Sequence, residues 1–92
     1  MYYVYLLEDQ VERSWYIGFT KNLKARFDQH RYGNVRTTRL KKHLKLIYFE
    51  GYRNTYDALG RERFLKSGSG RRFLKKQLRH YLETRNQAYF YQ

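Results

Sequence analysis

Trp15-Tyr16-Ile17-Gly18-Phe19-Thr20-Lys21-Asn22-Leu23-Lys24-Ala25-Arg26-Phe27-Asp28-Gln29-His30 is the stretch whose reading decides the fold. Trp15 to Phe19 is aromatic and β-branched, as a strand requires, and Gly18 marks a close backbone approach or a bulge. Asn22 or Thr20 can cap a helix over about 22–31, and Gly33-Asn34 ends it. Tyr16, Arg26 and His30 are spaced to line one wall of a site. Before this stretch, Tyr2 to Glu8 reads as a buried strand, with the polar run Glu8 to Ser14 as a hairpin connection.

Beyond it, residues 34–43 are basic and irregular, and Leu44 to Tyr52 reads as a third strand. Asn54 with Asp57 three residues later resembles a capping box and starts a second helix reaching Lys66. Ser67-Gly68-Ser69-Gly70 supplies a stop and a new cap. A third helix is expected over about 71–82, with Phe73, Leu74, Leu78, Tyr81 and Leu82 on one stripe. Residues 83–92 lack clear periodicity, and Tyr89-Phe90-Tyr91 reads as a short strand or a loose end. The fold class is therefore α/β of the α+β type: a small, mainly antiparallel three-stranded sheet flanked by helices, in the order β-β-α-β-α-α. One domain is expected over 1–82, followed by a tail over 83–92.

Ninety-two residues bury only roughly 60–65% of their unfolded surface, so aromatic clusters must carry the core. Eleven Tyr, six Phe and one Trp are available for that. Cysteine is absent, which removes disulfide frameworks and thiolate zinc sites and fits a reducing cytoplasm. No run approaches the roughly 18 apolar residues of a membrane span, and no signal-peptide pattern opens the chain. Twenty Lys and Arg against eight Asp and Glu leave a net charge of +12. Such an excess, interleaved with aromatic rings, points to a polyanionic partner and could supply both phosphate contacts and stacking faces; the alternative is a solubilising surface.

The eight acids are scattered, without D-x-D, D-x-E or H-E-x-x-H clusters, so a two-metal site held by several carboxylates is not expected. A single-carboxylate site stays open, because Mg²⁺ keeps most of its waters. Glu62 is the candidate: Ala58, Glu62 and Leu65 share one helix face, and an acid on an apolar face is costly unless a cation meets it. The alternative is a solvated Glu beside Arg61, Arg63 and Lys66. Arg26 offers a planar fork for phosphate oxygens. His30, one turn later on the same face, either moves a proton, touches phosphate or serves the structure. Tyr5 and Tyr16, from adjacent strands, can place two hydroxyls over one cleft, and cations nearby make a phenolic base physically admissible.

Tyr3-Val4-Tyr5 and Tyr16-Ile17-Gly18, followed by Arg26 ten residues after Tyr16, resemble the motifs of the GIY-YIG nuclease family. The likeness runs from Tyr3 to about Tyr81. It includes a shape found in small stand-alone members, Glu62-x-x-x-Lys66-Ser67-Gly68-x-Gly70-Arg71, and extends to the N-terminal nuclease domain of the bacterial excision-repair incision subunit. The resemblance implies a metal-dependent endonuclease acting on DNA, with a repair-type role, Glu62 as the single protein ligand for Mg²⁺ or Mn²⁺, and Arg26 facing the phosphate. It also implies His30 in a position where the family has His or Tyr, and Tyr5 or Tyr16 activating water. Three departures are visible. Tyr3 stands where the name-giving glycine does, Phe19 replaces a lysine of the excision-repair branch, and no Asn follows Glu62 at a trustworthy distance. The large targeting domains of other family members are not expected here, so substrate choice is expected from surface shape (a structure-dependent cut), from a partner protein, or with very little specificity at all. RNA stays open as a substrate, and a non-catalytic nucleic-acid-binding module of the same fold is the alternative reading. A basic protein assembled on RNA is a third.

Overall fold

Strand β1 (Tyr2–Asp9) is the middle of a three-stranded antiparallel sheet ordered β2-β1-β3, with β2 spanning Trp15–Thr20 and β3 Leu44–Tyr52. This is the computed structural model; it describes the backbone of residues 1–90 and the side chains of residues 1–85. Four helices complete it: α1 (Leu23–Arg31), α2 (Thr55–Lys66), α3 (Gly68–Gln77) and α4 (Arg79–Phe90). The expected α+β class and element order hold, with one helix more than the six elements read from the sequence. By contacts the chain forms two compact units, Met1–Glu62 and the part from Arg63 onward. No helix among the described residues is long and apolar enough to cross a membrane.

Val4 to Asp9 are all buried, because both faces of a middle strand are covered. Two of those six are acids, and each is satisfied locally. Glu8 accepts from Trp15 Nε1 at 2.8 Å, and Arg13 stands 3.5 Å away. Asp9 accepts the backbone N–H groups of Val11 and Glu12 at 2.9 and 2.8 Å. The Glu12 N–H in particular holds the Asp9 carboxyl below the usual carboxylate range. Arg13, with φ 65°, then turns the chain back, and Asp9 N–H bonds Ser14 C=O at 2.9 Å.

Pairing fixes which side chains share a face. Tyr5 lies opposite Gly18, and Leu7 opposite Tyr16, so Tyr5, Gly18 and Tyr16 share one face of the sheet. On β3, Tyr48, Glu50 and Tyr52 pair with Leu6, Val4 and Tyr2 and so lie on the other face; a bulge interrupts the register at Leu6/Leu7.

Helix α1 starts where Asn22 Oδ1 accepts Ala25 N–H at 3.1 Å. It ends in a Schellman motif: Asn34 N–H bonds Gln29 C=O at 2.8 Å, Gly33 N–H bonds His30 C=O at 3.2 Å, and Gly33 has φ +75°. Asn54 Oδ1 accepts Tyr56 N–H at 2.8 Å at the head of α2.

The expected third helix over 71–82 is corrected to two. Ser67 Oγ accepts Gly70 N–H at 3.1 Å, which starts α3 at Gly68 and takes both glycines into the helix. Gly70 is required by packing, since a β-carbon there would stand 2.0 Å from the Phe64 carbonyl oxygen. Leu78 (φ −102°, ψ 21°) closes α3, and α4 follows at once. Residues Tyr89 and Phe90, read as strand or loose end, belong to α4; Tyr91 and Gln92 lie outside the described residues.

Candidate active site

Three of the five residues singled out by the sequence meet through direct hydrogen bonds. Arg26 Nε donates to the Tyr5 hydroxyl at 3.3 Å, and that hydroxyl lies 2.9 Å from His30 Nε2. His30 Nδ1 is 2.6 Å from Thr38 Oγ1. Tyr5, His30 and Thr38 are 5%, 3% and 0% exposed, so the chain of bonds is shut away from water. Gly18 makes room for it: a β-carbon there would lie 2.2 Å from the Tyr5 hydroxyl oxygen.

The direction of these bonds follows from donor chemistry. Guanidinium only donates, so Tyr5 Oη accepts from Arg26 and sends its own proton to His30 Nε2. His30 Nδ1 then carries the imidazole hydrogen and donates to Thr38. This assignment needs a neutral ring. Burial, with the Arg26 charge as a second cause, pushes the His30 pKa down to about 4.

Arg26 is held at a second point, where one Nη donates to Gln29 Oε1 at 3.0 Å. Its Nε and one Nη are thus fixed internally, and the guanidinium is half-buried rather than loose in solvent. Its other Nη group has no hydrogen-bond partner among the described residues.

Tyr16 shares the sheet face of Tyr5 and is half-exposed. Its neighbour is Lys41, which is ion-paired with Glu12. The Glu12 carboxylate, and to a lesser degree the Tyr16 hydroxyl, favour the charged form of Lys41.

Glu62 lies on α2, half-buried, in register with buried Ala58 and Leu65. The same helix is tied to the sheet one residue earlier. Arg61 grips Glu50 with two nitrogens at 2.9 and 3.1 Å, and the Tyr48 and Tyr52 hydroxyls donate to the two Glu50 oxygens at 2.5 Å each. Desolvation opposes ionisation of Glu50, but Arg61 and the two phenols outweigh it and keep the carboxyl below its usual range. Desolvation first, and then Glu50, pushes Tyr48 and Tyr52 up to about 12. This cluster stands on the sheet face opposite Tyr5.

Thr38, Lys41, Glu50 and Arg61 were not singled out by the sequence reading. Tyr48-x-Glu50-x-Tyr52 was legible as a polar face on a strand. Nothing marked Thr38 or Lys41 within a run of basic residues. No group of three or more His, Cys, Asp or Glu suited to a metal exists among the described residues. The half-buried Glu62 carboxylate would hold a divalent cation only if water and phosphate oxygens complete its shell.

Residues 1–78 match the GIY-YIG catalytic domain, which covers both triplets, Arg26, His30 and Glu62. The chain belongs to the GIY-YIG family. A GIY-YIG domain implies a nuclease-type function with DNA as substrate, and nucleases of this family generally use divalent metal ions. Similar proteins include a UPF0213 protein of Limosilactobacillus reuteri, 42% identical over 82 residues, or 86% of this chain and 84% of that one. A UPF0213 protein of Clostridium perfringens is 40% identical over 67 residues, 72% and 71% of the two chains. One of Pediococcus acidilactici is 36% identical over 77 residues, 80% and 76%. These are small proteins, as a stand-alone GIY-YIG family would have. No solved structure matches the chain.

Proposed function

We propose that this GIY-YIG protein is an endonuclease that hydrolyses DNA phosphodiester bonds with a divalent cation, Mg²⁺ or Mn²⁺. The observation that supports the reading most is the Arg26–Tyr5–His30 chain, seated over Gly18 inside a GIY-YIG catalytic domain.

Arg26 is the phosphate-facing group. Holding its Nε and one Nη internally fixes the direction of the remaining donors, and donors that need no reorganisation stabilise developing charge best. Tyr5 and His30 orient it. His30, with a pKa of about 4, is a weak base, so moving the Tyr5 proton onto it is uphill. Tyr5 is therefore a positioning residue, and its hydroxyl is spent on Arg26 and His30.

Tyr16, half-exposed on the same sheet face, is the residue that takes the proton of the attacking water as its own hydroxyl proton passes to solvent. The water oxygen forms a bond to phosphorus, the bond to the departing sugar oxygen breaks, and that oxygen takes up a proton from solvent. Lys41, paired with Glu12, lies beside Tyr16 at the same site. Glu62 would hold the cation, which when bound neutralises the non-bridging phosphate oxygens.

Nicking of supercoiled plasmid tests the reading. Open circles are expected with Mg²⁺ and wild-type protein, and are expected to vanish in EDTA or with Glu62→Ala. Wild-type protein that binds the plasmid but leaves it supercoiled with Mg²⁺ and with Mn²⁺ would make this a binding module.

A further inference from the structure

Positive charge is unevenly shared along the chain. Residues 63–92 hold eight Lys and Arg against Glu83 alone, whereas residues 1–62 hold twelve against seven acids. In the first unit four of the twelve cations are paired with acids: Arg13 with Glu8, Lys24 with Asp28, Lys41 with Glu12, Arg61 with Glu50. Helix α3 is different. Arg71, Arg72, Lys75 and Lys76 are all exposed, and none has a carboxylate partner among the described residues. Arg72 donates to the Ser69 hydroxyl at 3.1 Å.

Helix geometry gathers these four. At about 100° per residue they fall within about 140° of arc, as neighbours at i,i+3 and i,i+4. The opposite arc carries Gly70 and Leu74, both buried, and Phe73, whose ring meets Phe64 edge-on at 6.2 Å. Neighbouring like charges at this spacing destabilise a helix by about 0.2–0.5 kcal/mol per pair. Arg71 stands in the first turn, the end of a helix that disfavours cations. A surface needed only for solubility intersperses both signs; α3 contains no acid at all. Nor does it suit a membrane surface, which needs an exposed apolar face.

We propose that the outer face of α3, carried by Arg71, Arg72, Lys75 and Lys76, grips the phosphate backbone of duplex DNA. Holding the substrate is then the task of a different part of the chain from the residues that cut it. This rests on the nuclease reading for its choice of ligand, but its test does not need cleavage.

The test measures anisotropy of a short fluorescein-labelled duplex in EDTA across a salt series. It uses wild type, a variant with all four cations changed to Gln, and a control with Lys21, Lys24, Lys42 and Lys45 changed to Gln. With about 0.9 per phosphate contact, the slope of log K against log salt is expected to shrink by about 3 to 4 in the α3 variant and by about 1 or less in the control. Gln keeps helix propensity, and a swap variant (Arg71→Lys, Arg72→Lys, Lys75→Arg, Lys76→Arg) is expected to retain the wild-type slope. Equal losses in the α3 variant and the control would reduce the effect to net charge and overturn the proposal. So would an unchanged slope in the α3 variant, or a lost slope in the swap variant. An α3 variant that loses binding to phosphatidylserine vesicles but keeps duplex binding would overturn it in favour of a membrane surface. A protein that fails to nick but loses its slope through α3 leaves this inference standing while the nuclease reading falls.

Discussion

Tyr5 lies over Gly18 so closely that a β-carbon at position 18 would stand 2.2 Å from its hydroxyl oxygen and 2.4 Å from Cζ. The second triplet's glycine therefore exists to admit the first triplet's tyrosine. Gly18→Ala is expected to push the ring aside, break the contacts to Arg26 and His30, and cost about 1–3 kcal/mol. A melting temperature lower by about 4–8 °C per kcal/mol and loss of plasmid nicking would show it. Tyr5→Phe should not rescue this variant, because Cζ would still collide. Gly18→Ala protein that melts and nicks like wild type would mean that Tyr5 is free to move.

Arg26→Ala separates cutting from holding. One phosphate contact among many is lost, while charge in the transition state goes unmet; loss of one such donor costs on the order of 10²–10³ in rate. Nicking should fall by that factor while duplex affinity in EDTA changes less than about tenfold. Equal activity in variant and wild type would remove Arg26 from the site.

His30 gives the fold an acid-sensitive limb. Its folded pKa of about 4 lies below the ordinary 6.5, so the unfolded chain binds the extra proton first. The stability that depends on neutral His30 is complete above about 6.5 and is lost as pH falls towards 4. Melting temperatures of wild type should drop across that window, and those of His30→Gln should be flatter from a lower starting point. Arg26→Ala should shorten this limb from its acid end and make it shallower, since the Arg26 charge is the second cause of the shift. Parallel curves for wild type and His30→Gln would show that the ring does not pay this penalty.

Much of this was legible beforehand, and the reasons are local. Leu44 to Tyr52 reads as a strand by composition, and the structure gives the same limits. Asn22 and Gly33 mark the ends of α1 because a cap and a left-handed glycine act within a few residues. The triplets place Tyr5 and Tyr16 on one face because strand pairing has a period of two. The rest depends on partners distant in the chain. Thr38 meets His30 from an irregular loop, and Arg61 finds Glu50 eleven residues earlier; no period joins them. Helix α3 was misjudged because glycine normally weakens helices, whereas Gly70 is there for the backbone it touches.

Glu50→Gln should act on stability. The change leaves Arg61 facing a neutral amide, and hydrogen bonds to charged groups are worth about 1.5–3 kcal/mol. Because the Glu50 pKa is lowered, its contribution is present above the ordinary 4.5 and is lost as pH falls below that value. Wild type should therefore lose its advantage over Glu50→Gln in acid. At the other extreme, Tyr48 and Tyr52 hold their protons to about 12, so stability should also fall between about pH 10 and 12. Phenolate absorbance of the folded protein should show two tyrosines titrating late. A melting temperature unchanged by Glu50→Gln would show that the cluster does not anchor α2.

Glu62→Gln should do the opposite, which is what makes the pair informative. Gln matches Glu in size and nearly in helix propensity, so α2 should stay formed and the melting temperature without metal should hold or rise slightly. What disappears is the anionic oxygen a hard cation requires. If Glu62 is the only protein ligand, Mg²⁺-dependent nicking drops to background. Duplex binding in EDTA persists or tightens, because a negative charge has left a surface that meets phosphate. Glu50→Gln, assayed well below its melting temperature, should keep nicking at close to the wild-type rate. A Glu62→Gln protein that nicks as fast as wild type in Mg²⁺ would end the one-carboxylate site. With no group of three metal-binding side chains among the described residues to replace it, the reading would then pass to a binding module.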